Sequence, residues 1–171
     1  YARETLAQLR AQYGEELPAL TVTDYPRYEW RGLMLDCSRH FYSLEHLKKQ
    51  VDMLAHYKMN RLHLHLTDDQ GWRIEIKRYP ELTQRGAWRT FNQQDSICID
   101  TYKDQPEFEL DPRFIVRNGD RTLYGGYYTQ EELRSLVAYA RERHVEIIPE
   151  IDMPGHTQAI SAIYPHLTAT G

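Results

Sequence analysis

The residues best able to do chemistry fall in four places. Asp68 and Asp69 stand side by side, with Gln70, Gly71 and Trp72 directly behind them. Adjacent carboxylates beside an aromatic can bind a cation, hold sugar hydroxyls or move a proton. They can equally be the solvated acids of a turn. Asp152 and His156 flank the turn Met153-Pro154-Gly155. A carboxylate there would orient the imidazole and raise its pKa; the plainer reading is a helix N-cap and a partly buried histidine. Arg39 follows Asp36 by three residues, and its guanidinium can fork onto two hydroxyls or a carboxylate, or form a structural ion pair. His63-x-His65 puts two imidazoles on one face of a strand, as metal ligands need. No third ligand is identifiable by spacing, which favours two interior histidines without metal.

The elements that must position these groups alternate along the chain. Arg3 to Gln12 reads as a short helix with Leu6 and Leu9 on one face, stopped by Gly14. Pro18 and Pro26 bracket an extended connection. Gly32-Leu33-Met34-Leu35-Asp36 is an apolar run ending in an acid, the pattern of a buried strand. Ser43 can cap a helix with Leu44, Leu47, Val51 and Leu54 at helical spacing, and Asn60 is expected to end it. A second strand holds Leu62, Leu64 and Leu66 on one face and His63 and His65 on the other. Arg73 to Lys77 alternates weakly. A long insertion at about 89–124 shows no clear periodicity. Thr129 and Glu132 form a capping box for a helix from about Gln130 to Arg143, expected to bury Leu133, Leu136, Val137 and Tyr139 or Ala140. Val145 to Ile151 is the third strand, followed by a short helix.

Strand, helix, strand implies parallel right-handed crossovers. Each strand runs into a polar group at its carboxyl end: Asp36 with Arg39, Asp68 with Asp69, Asp152 with His156. That is where parallel α/β proteins build sites. The order fits the start of a (β/α)8 TIM barrel or a doubly wound sheet, but no Gly-rich phosphate loop follows the first strand. A full barrel needs about 250 residues. The 171 residues are expected to supply about the first three β/α units, and the abrupt start at Tyr1 suggests a piece of a larger protein.

Composition narrows the function. A net charge of −4 gives no basic field for nucleic acid. Aromatics make up 12%, with 13 tyrosines, which fits stacking on sugar faces as well as core packing. No apolar run approaches the roughly 18 residues of a membrane span. Cys37 and Cys98 are two thiols or one disulfide.

At this point the motifs resemble glycoside hydrolase family 20, the β-N-acetylhexosaminidases. Trp30-Arg31-Gly32-Leu33-Met34-Leu35-Asp36-Cys37-Ser38-Arg39-His40-Phe41 is similar to the family's first barrel strand and loop. His63-Leu64-His65-Leu66-Thr67-Asp68-Asp69-Gln70-Gly71-Trp72-Arg73 is similar to its second. Tyr127-Tyr128-Thr129, then Pro149-Glu150-Ile151-Asp152-Met153-Pro154-Gly155-His156, resembles its third. The resemblance covers nearly all of the chain from about Leu17. It implies that residues 1–18 end a preceding small α/β domain and that 19–171 begin the catalytic barrel. It also implies that Arg39 holds hydroxyls of the terminal sugar and that Asp68 is an acid of the pocket with a positioning or electrostatic role. Asp152 and His156 would be a hydrogen-bonded pair behind the general acid. No cofactor or metal is implied, and the partner would be a carbohydrate ending in β-linked N-acetylhexosamine. A secreted, periplasmic or lysosome-like compartment is implied rather than the cytoplasm.

The family mechanism is retaining and substrate-assisted, with the 2-acetamido oxygen as nucleophile. The family's Asp-Glu pair, which polarises that group and protonates the leaving oxygen, belongs to a His-x-Gly-Gly-Asp-Glu motif that these 171 residues do not contain. The chain alone is therefore expected to be inactive. Two other readings stand beside the enzyme: a non-catalytic carbohydrate-binding piece, and a metal-dependent amidohydrolase-type barrel using His63 and His65.

Overall fold

The computed structural model describes residues 1–106 and 109–168. Its centre is a parallel sheet of three strands, β1 (Gly32–Asp36), β2 (Arg61–His65) and β8 (Glu146–Glu150), in the order β1-β2-β8. Parallel neighbours need crossover connections. Helix α2 (Leu44–His56) joins β1 to β2, and α5 (Gln130–Glu142) leads into β8. Both begin as their sequences dictate. The Ser43 side chain accepts from the His46 amide, and Thr129 and Glu132 form a reciprocal capping box. Leu47, Val51 and Leu54 of α2 and Leu136 and Ala140 of α5 are buried against Leu62 and Leu64 of β2.

Both helices stop at a non-glycine residue in the left-handed region, Lys58 (φ 57°) and His144 (φ 58°), which turns the chain toward its next strand. Asn60, expected to end α2, does something else. Its backbone and side chain bond to Arg31 and Glu29, and its carbonyl accepts from the Glu146 amide. One residue thus ties together the starts of all three strands and fixes their register. Arg61 pairs with both Gly32 and Glu146, so the far ends are level too, with Asp36, His65 and Glu150 on one rung.

The segment after β2 departs from expectation. Thr67–Asp68 (β3) and Gly71–Trp72 (β4) form a minute antiparallel hairpin with Asp69 and Gln70 at its tip. Arg73 to Lys77 forms no strand; Ile74 makes a single bridge to Tyr128. A four-residue helix α3 (Glu81–Gln84) follows. The insertion, expected to lack regular structure, is instead organised. Strands β5 (Trp88–Thr90), β6 (Ile115–Asn118) and β7 (Arg121–Gly125) make an antiparallel sheet in the order β5-β7-β6, with helix α4 (Gln93–Tyr102) between. Gly119, in the left-handed region at φ 60°, turns the chain between β6 and β7. The strands themselves are too short and too exposed to show an apolar alternation.

Arg73 joins this sheet to the rest. It is fully buried, has no carboxylate partner among the described residues, and donates to the carbonyls of Ser38, Ala87 and Gly126. Burial pushes its pKa down to about 10. Gly71 leaves room for its guanidinium, and Gly126 (φ 152°) leaves room for the Phe41 ring. Helix α1 (Ala2–Tyr13) ends at Gly14 and buries no residue. Short helix α6 (Gln158–Ser161) and a 3-10 turn (Pro165–Leu167) close the described chain. Cys37 and Cys98 are both thiols, and burial raises Cys37 to about 12. Among the described residues, no helix is long and apolar enough to cross a membrane.

Val137, expected in the core, is 50% exposed, whereas Leu136 is fully buried. Leu136→Ala should cost about 2–5 kcal/mol and Val137→Ala less than about 1 kcal/mol, read from urea unfolding of the two variants.

Candidate active site

The rung Asp36, His65 and Glu150 forms the floor of the site, at the carboxyl ends of the three strands. Register puts these side chains on the sheet face away from α2 and α5. The loop after β1 brings Arg39 over the rung. The β3–β4 hairpin brings Asp68, and the loop after β8 brings Asp152 and His156.

Asp68 is the hub. It is 1% exposed, and an isolated charge there would be costly. Three cationic or cation-forming groups surround it: Arg39 Nη2 at 2.6 Å, His65 Nε2 at 2.8 Å and His156 Nδ1 at 3.2 Å. The Asp69 amide donates to the same carboxylate at 2.6 Å. Arg39 is held further by Asp36 at 2.7 Å and by Gln70, which accepts from Nε at 3.2 Å. His65 donates in the other direction to Glu150, 2.7 Å from Nδ1, and Glu150 also meets His63 Nε2. Acids and bases therefore alternate from His63 through Glu150, His65 and Asp68 to Arg39 and Asp36.

These contacts shift the titrations. Burial works against the charge on His65, but hydrogen bonds to Glu150 and Asp68 outweigh it and raise its pKa above the ordinary imidazole value. The hydrogen bond from His65 in turn lowers Glu150. Burial opposes ionisation of Asp36 as well, and the Arg39 amide and guanidinium hold it below the usual carboxylate range. A carboxylate oxygen at each nitrogen favours the protonated imidazole, the form that can donate from both.

The structure brings the expected residues to one place but changes their pairing. The hydrogen bond expected between Asp152 and His156 is not formed among the described residues. His156, held at φ 55°, turns to Asp68 instead. The Asp152 carboxylate gathers with His65 and Glu150, their polar atoms within 4.8 Å of one another, while its amide donates to Thr67 Oγ1 at 3.0 Å. The physical reason is charge. Asp68 is the buried acid that needs a partner, and Asp152 is only partly buried. Gln70 and Glu150 escaped sequence reasoning as site residues. Glu150 was findable, because it occupies the same strand-end position as Asp36 and His65; Gln70 stood beside the two acids, but nothing in the sequence gave it a partner.

Among the described residues, two groups carry metal-ligating atoms, His65 with Glu150 and Asp152, and Asp68 with Asp69 and His156. Neither fits a cation well. Both nitrogens of His65 are engaged by carboxylates, and the Arg39 guanidinium already places a fixed positive charge on Asp68. His63 is spent on Glu150. A cavity of about 290 Å³ adjoins the cluster, lined by Asp68, Asp152 and His156 with Trp72, Met153 and Leu167. That is the low end of the size range of small-ligand sites.

A parallel α/β unit with charged groups converging at its strand carboxyl ends is the build of a ligand site of the α/β enzyme class. The model of glycosyl hydrolase family 20, catalytic domain, matches residues 28–171, and the chain belongs to that family. A β-hexosaminidase of Vibrio furnissii is 44% identical over 167 residues, covering 96% of this chain and 24% of that protein. A β-hexosaminidase of Akkermansia muciniphila is 45% identical over 168 residues, covering 96% and 29%. Among solved structures, a β-N-acetylhexosaminidase superposes with TM-score 0.74 at 45% identity, covering 97% of this chain and 31% of that one. The chain thus spans about a quarter of the length of the curated relatives it matches.

The raised His65 and lowered Glu150 set a stability window. An unfolded histidine titrates near 6.5 and a glutamate near 4.5. The His65 contribution is complete below 6.5 and is lost as pH rises through its higher folded value. The Glu150 contribution is complete above 4.5 and is lost as pH falls through its lower folded value. In urea unfolding from about pH 4 to about pH 9, the stability gap between wild type and His65→Gln should be widest between these values and narrow on the alkaline side. A gap that grows with pH would contradict the assignment.

Proposed function

We propose that this chain is the first part of the catalytic barrel of a β-N-acetylhexosaminidase. Such an enzyme removes terminal β-linked N-acetylglucosamine or N-acetylgalactosamine by a retaining, substrate-assisted route. The observation that carries the proposal is the Asp68 hub, a buried acid that presents Arg39 on one side and His156 on the other. A fixed, forked guanidinium over a strand-end rung is suited to paired sugar hydroxyls. On this reading Arg39 binds the non-reducing end. Asp68 acts mainly by holding Arg39 and His156, in keeping with its burial. His156 and Asp152 support the general acid from their two sides of the cavity. Β-strands β1, β2 and β8 are the first three of eight barrel strands. Residues 1–18 end a preceding domain; that α1 buries nothing and that the family match starts at residue 28 both favour this.

A relative in Vibrio harveyi supports the substrate class. Its exo-β-N-acetylglucosaminidase, solved with N-acetylglucosamine, superposes with TM-score 0.65 at 45% identity over 86% of this chain and 21% of that one. The reading of this chain as a binding piece without turnover shares the same contacts and differs only in the missing Asp-Glu pair. The metal-hydrolase reading is disfavoured by the carboxylates that occupy both nitrogens of His65.

General acid catalysis contributes about 10²–10⁴-fold, and the sequence lacks the group that would supply it. The purified 20.3 kDa chain should therefore bind N-acetylglucosamine without hydrolysing a chromogenic N-acetyl-β-glucosaminide. Arg39→Lys should weaken that binding by about tenfold or more, the worth of a hydrogen bond to a charged group. Hydrolysis by this species would move the general acid to Asp68, Asp69 or Glu150. Stoichiometric zinc after gentle purification would revive the metal-hydrolase reading.

A further inference from the structure

The loop that carries Arg39, from Cys37 to Tyr42, has no regular structure. Its main chain is nevertheless held at four points by side chains from elsewhere. The Ser38 carbonyl accepts from Arg73 Nη2 at 2.6 Å. The Arg39 carbonyl accepts from Arg89 Nη2 at 3.1 Å. The Phe41 amide donates to Tyr124 Oη at 3.1 Å, and the Tyr42 carbonyl accepts from Tyr128 Oη at 2.7 Å. Arg89 and Tyr124 come from β5 and β7 of the insertion.

Arg89 is the donor on Arg39 itself, and it is not free to wander. Asp95 at the start of α4 is 3% exposed and takes both arms of the guanidinium: Oδ2 meets Nη1, and Oδ1 meets Nη2 at 3.1 Å. Asp95 also accepts the Asn92 amide at 2.8 Å as its half of a capping box. The Arg89 guanidinium lies 5.1 Å from the centre of the Tyr124 ring. A carboxylate this buried is costly without its partner, so Arg89 is locked in one geometry by a helix that otherwise has no strong apolar face.

We propose that Arg89 and Asp95 are positioning residues for Arg39. They set the backbone from which the Arg39 guanidinium must reach Asp36, Asp68 and Gln70 together. A forked donor that misses by a fraction of an ångström loses one arm of its contact. The insertion is thereby part of the sugar site, acting through the main chain and not by touching the ligand. This inference rests on the reading of Arg39 as the sugar-binding residue.

The test is an NMR comparison of the 171-residue chain with Arg89→Lys. Lysine keeps the charge opposite Asp95, but it is a single-point donor on a shorter stem and loses the two-nitrogen grip by which Asp95 fixes the Arg89 guanidinium. Three signals are followed: the Arg39 Nε–H resonance, hydrogen exchange of the amides from Ser38 to Tyr42, and the Kd for N-acetylglucosamine. Expected are a shifted Arg39 resonance, faster exchange in that loop alone, and binding weakened about three- to tenfold, with β2 and α5 amides unchanged. Unchanged Arg39 signals and Kd in a folded variant would overturn the proposal. If Arg89→Lys unfolds, Asp95→Asn, which removes the charge that grips Arg89 and keeps the side chain's shape, is judged by the same signals. If the wild-type chain gives no response to N-acetylglucosamine, the sugar reading fails. The Arg39 resonance and loop exchange then still decide whether Arg89 positions Arg39.

Discussion

One buried carboxylate constrains everything around it. Asp68 lies out of solvent on a hairpin of two-residue strands, a place with little secondary structure to hold it. Its charge is tolerable only with partners, and removing one partner of a buried ion pair typically costs about 3–5 kcal/mol. Arg39, His65 and His156 meet that need from three different segments. The loops after β1 and β8 are thereby drawn to the end of β2. The site is less a set of residues aimed at a ligand than a set of charges obliged to find one another.

The rest of the fold makes that meeting possible. Asn60 levels the starts of the three strands, so their ends come out level. Helices α2 and α5 bury one face of the sheet and leave the other to the rung of Asp36, His65 and Glu150. Arg73, with no acid beside it among the described residues, donates from its two terminal nitrogens to carbonyls of the first loop and of the inserted segment. It fastens the antiparallel sheet to the parallel one. Stability and site share these contacts, so a change in the inserted sheet is felt at Arg39.

Much of this was legible in the chain. The apolar runs at Leu33–Leu35 and Leu62–Leu64, the caps at Ser43 and Thr129, and the acids beyond each strand gave the parallel order and the location of the site. Local rules fix those features, and local rules are what a sequence displays. What failed to show depended on distant partners. His156 chose Asp68 over its neighbour Asp152 because burial, not proximity in sequence, decides which acid most needs a charge. Asn60 looked like a helix end because the hydrogen bonds that tie it to Glu29, Arg31 and Glu146 reach segments distant in sequence. The insertion hid its strands because short, exposed antiparallel strands carry no apolar period. Val137 sat at core spacing but on the rim of the α5 stripe.

The structure brings the four residues singled out by the resemblance to one place. The resemblance named Arg39, Asp68, Asp152 and His156. The structure says how they are joined, and it adds Asp36, His65, Gln70 and Glu150 as the groups that hold them. The most direct test of the hub is the isosteric Asp68→Asn chain, titrated with N-acetylglucosamine and followed at Arg39, His65 and His156 by NMR. The account predicts that all three resonances move together and that binding weakens at least about tenfold, while the β1, β2 and β8 amides stay in place. Wild-type affinity with those three resonances unmoved would show that Asp68 does not organise the site.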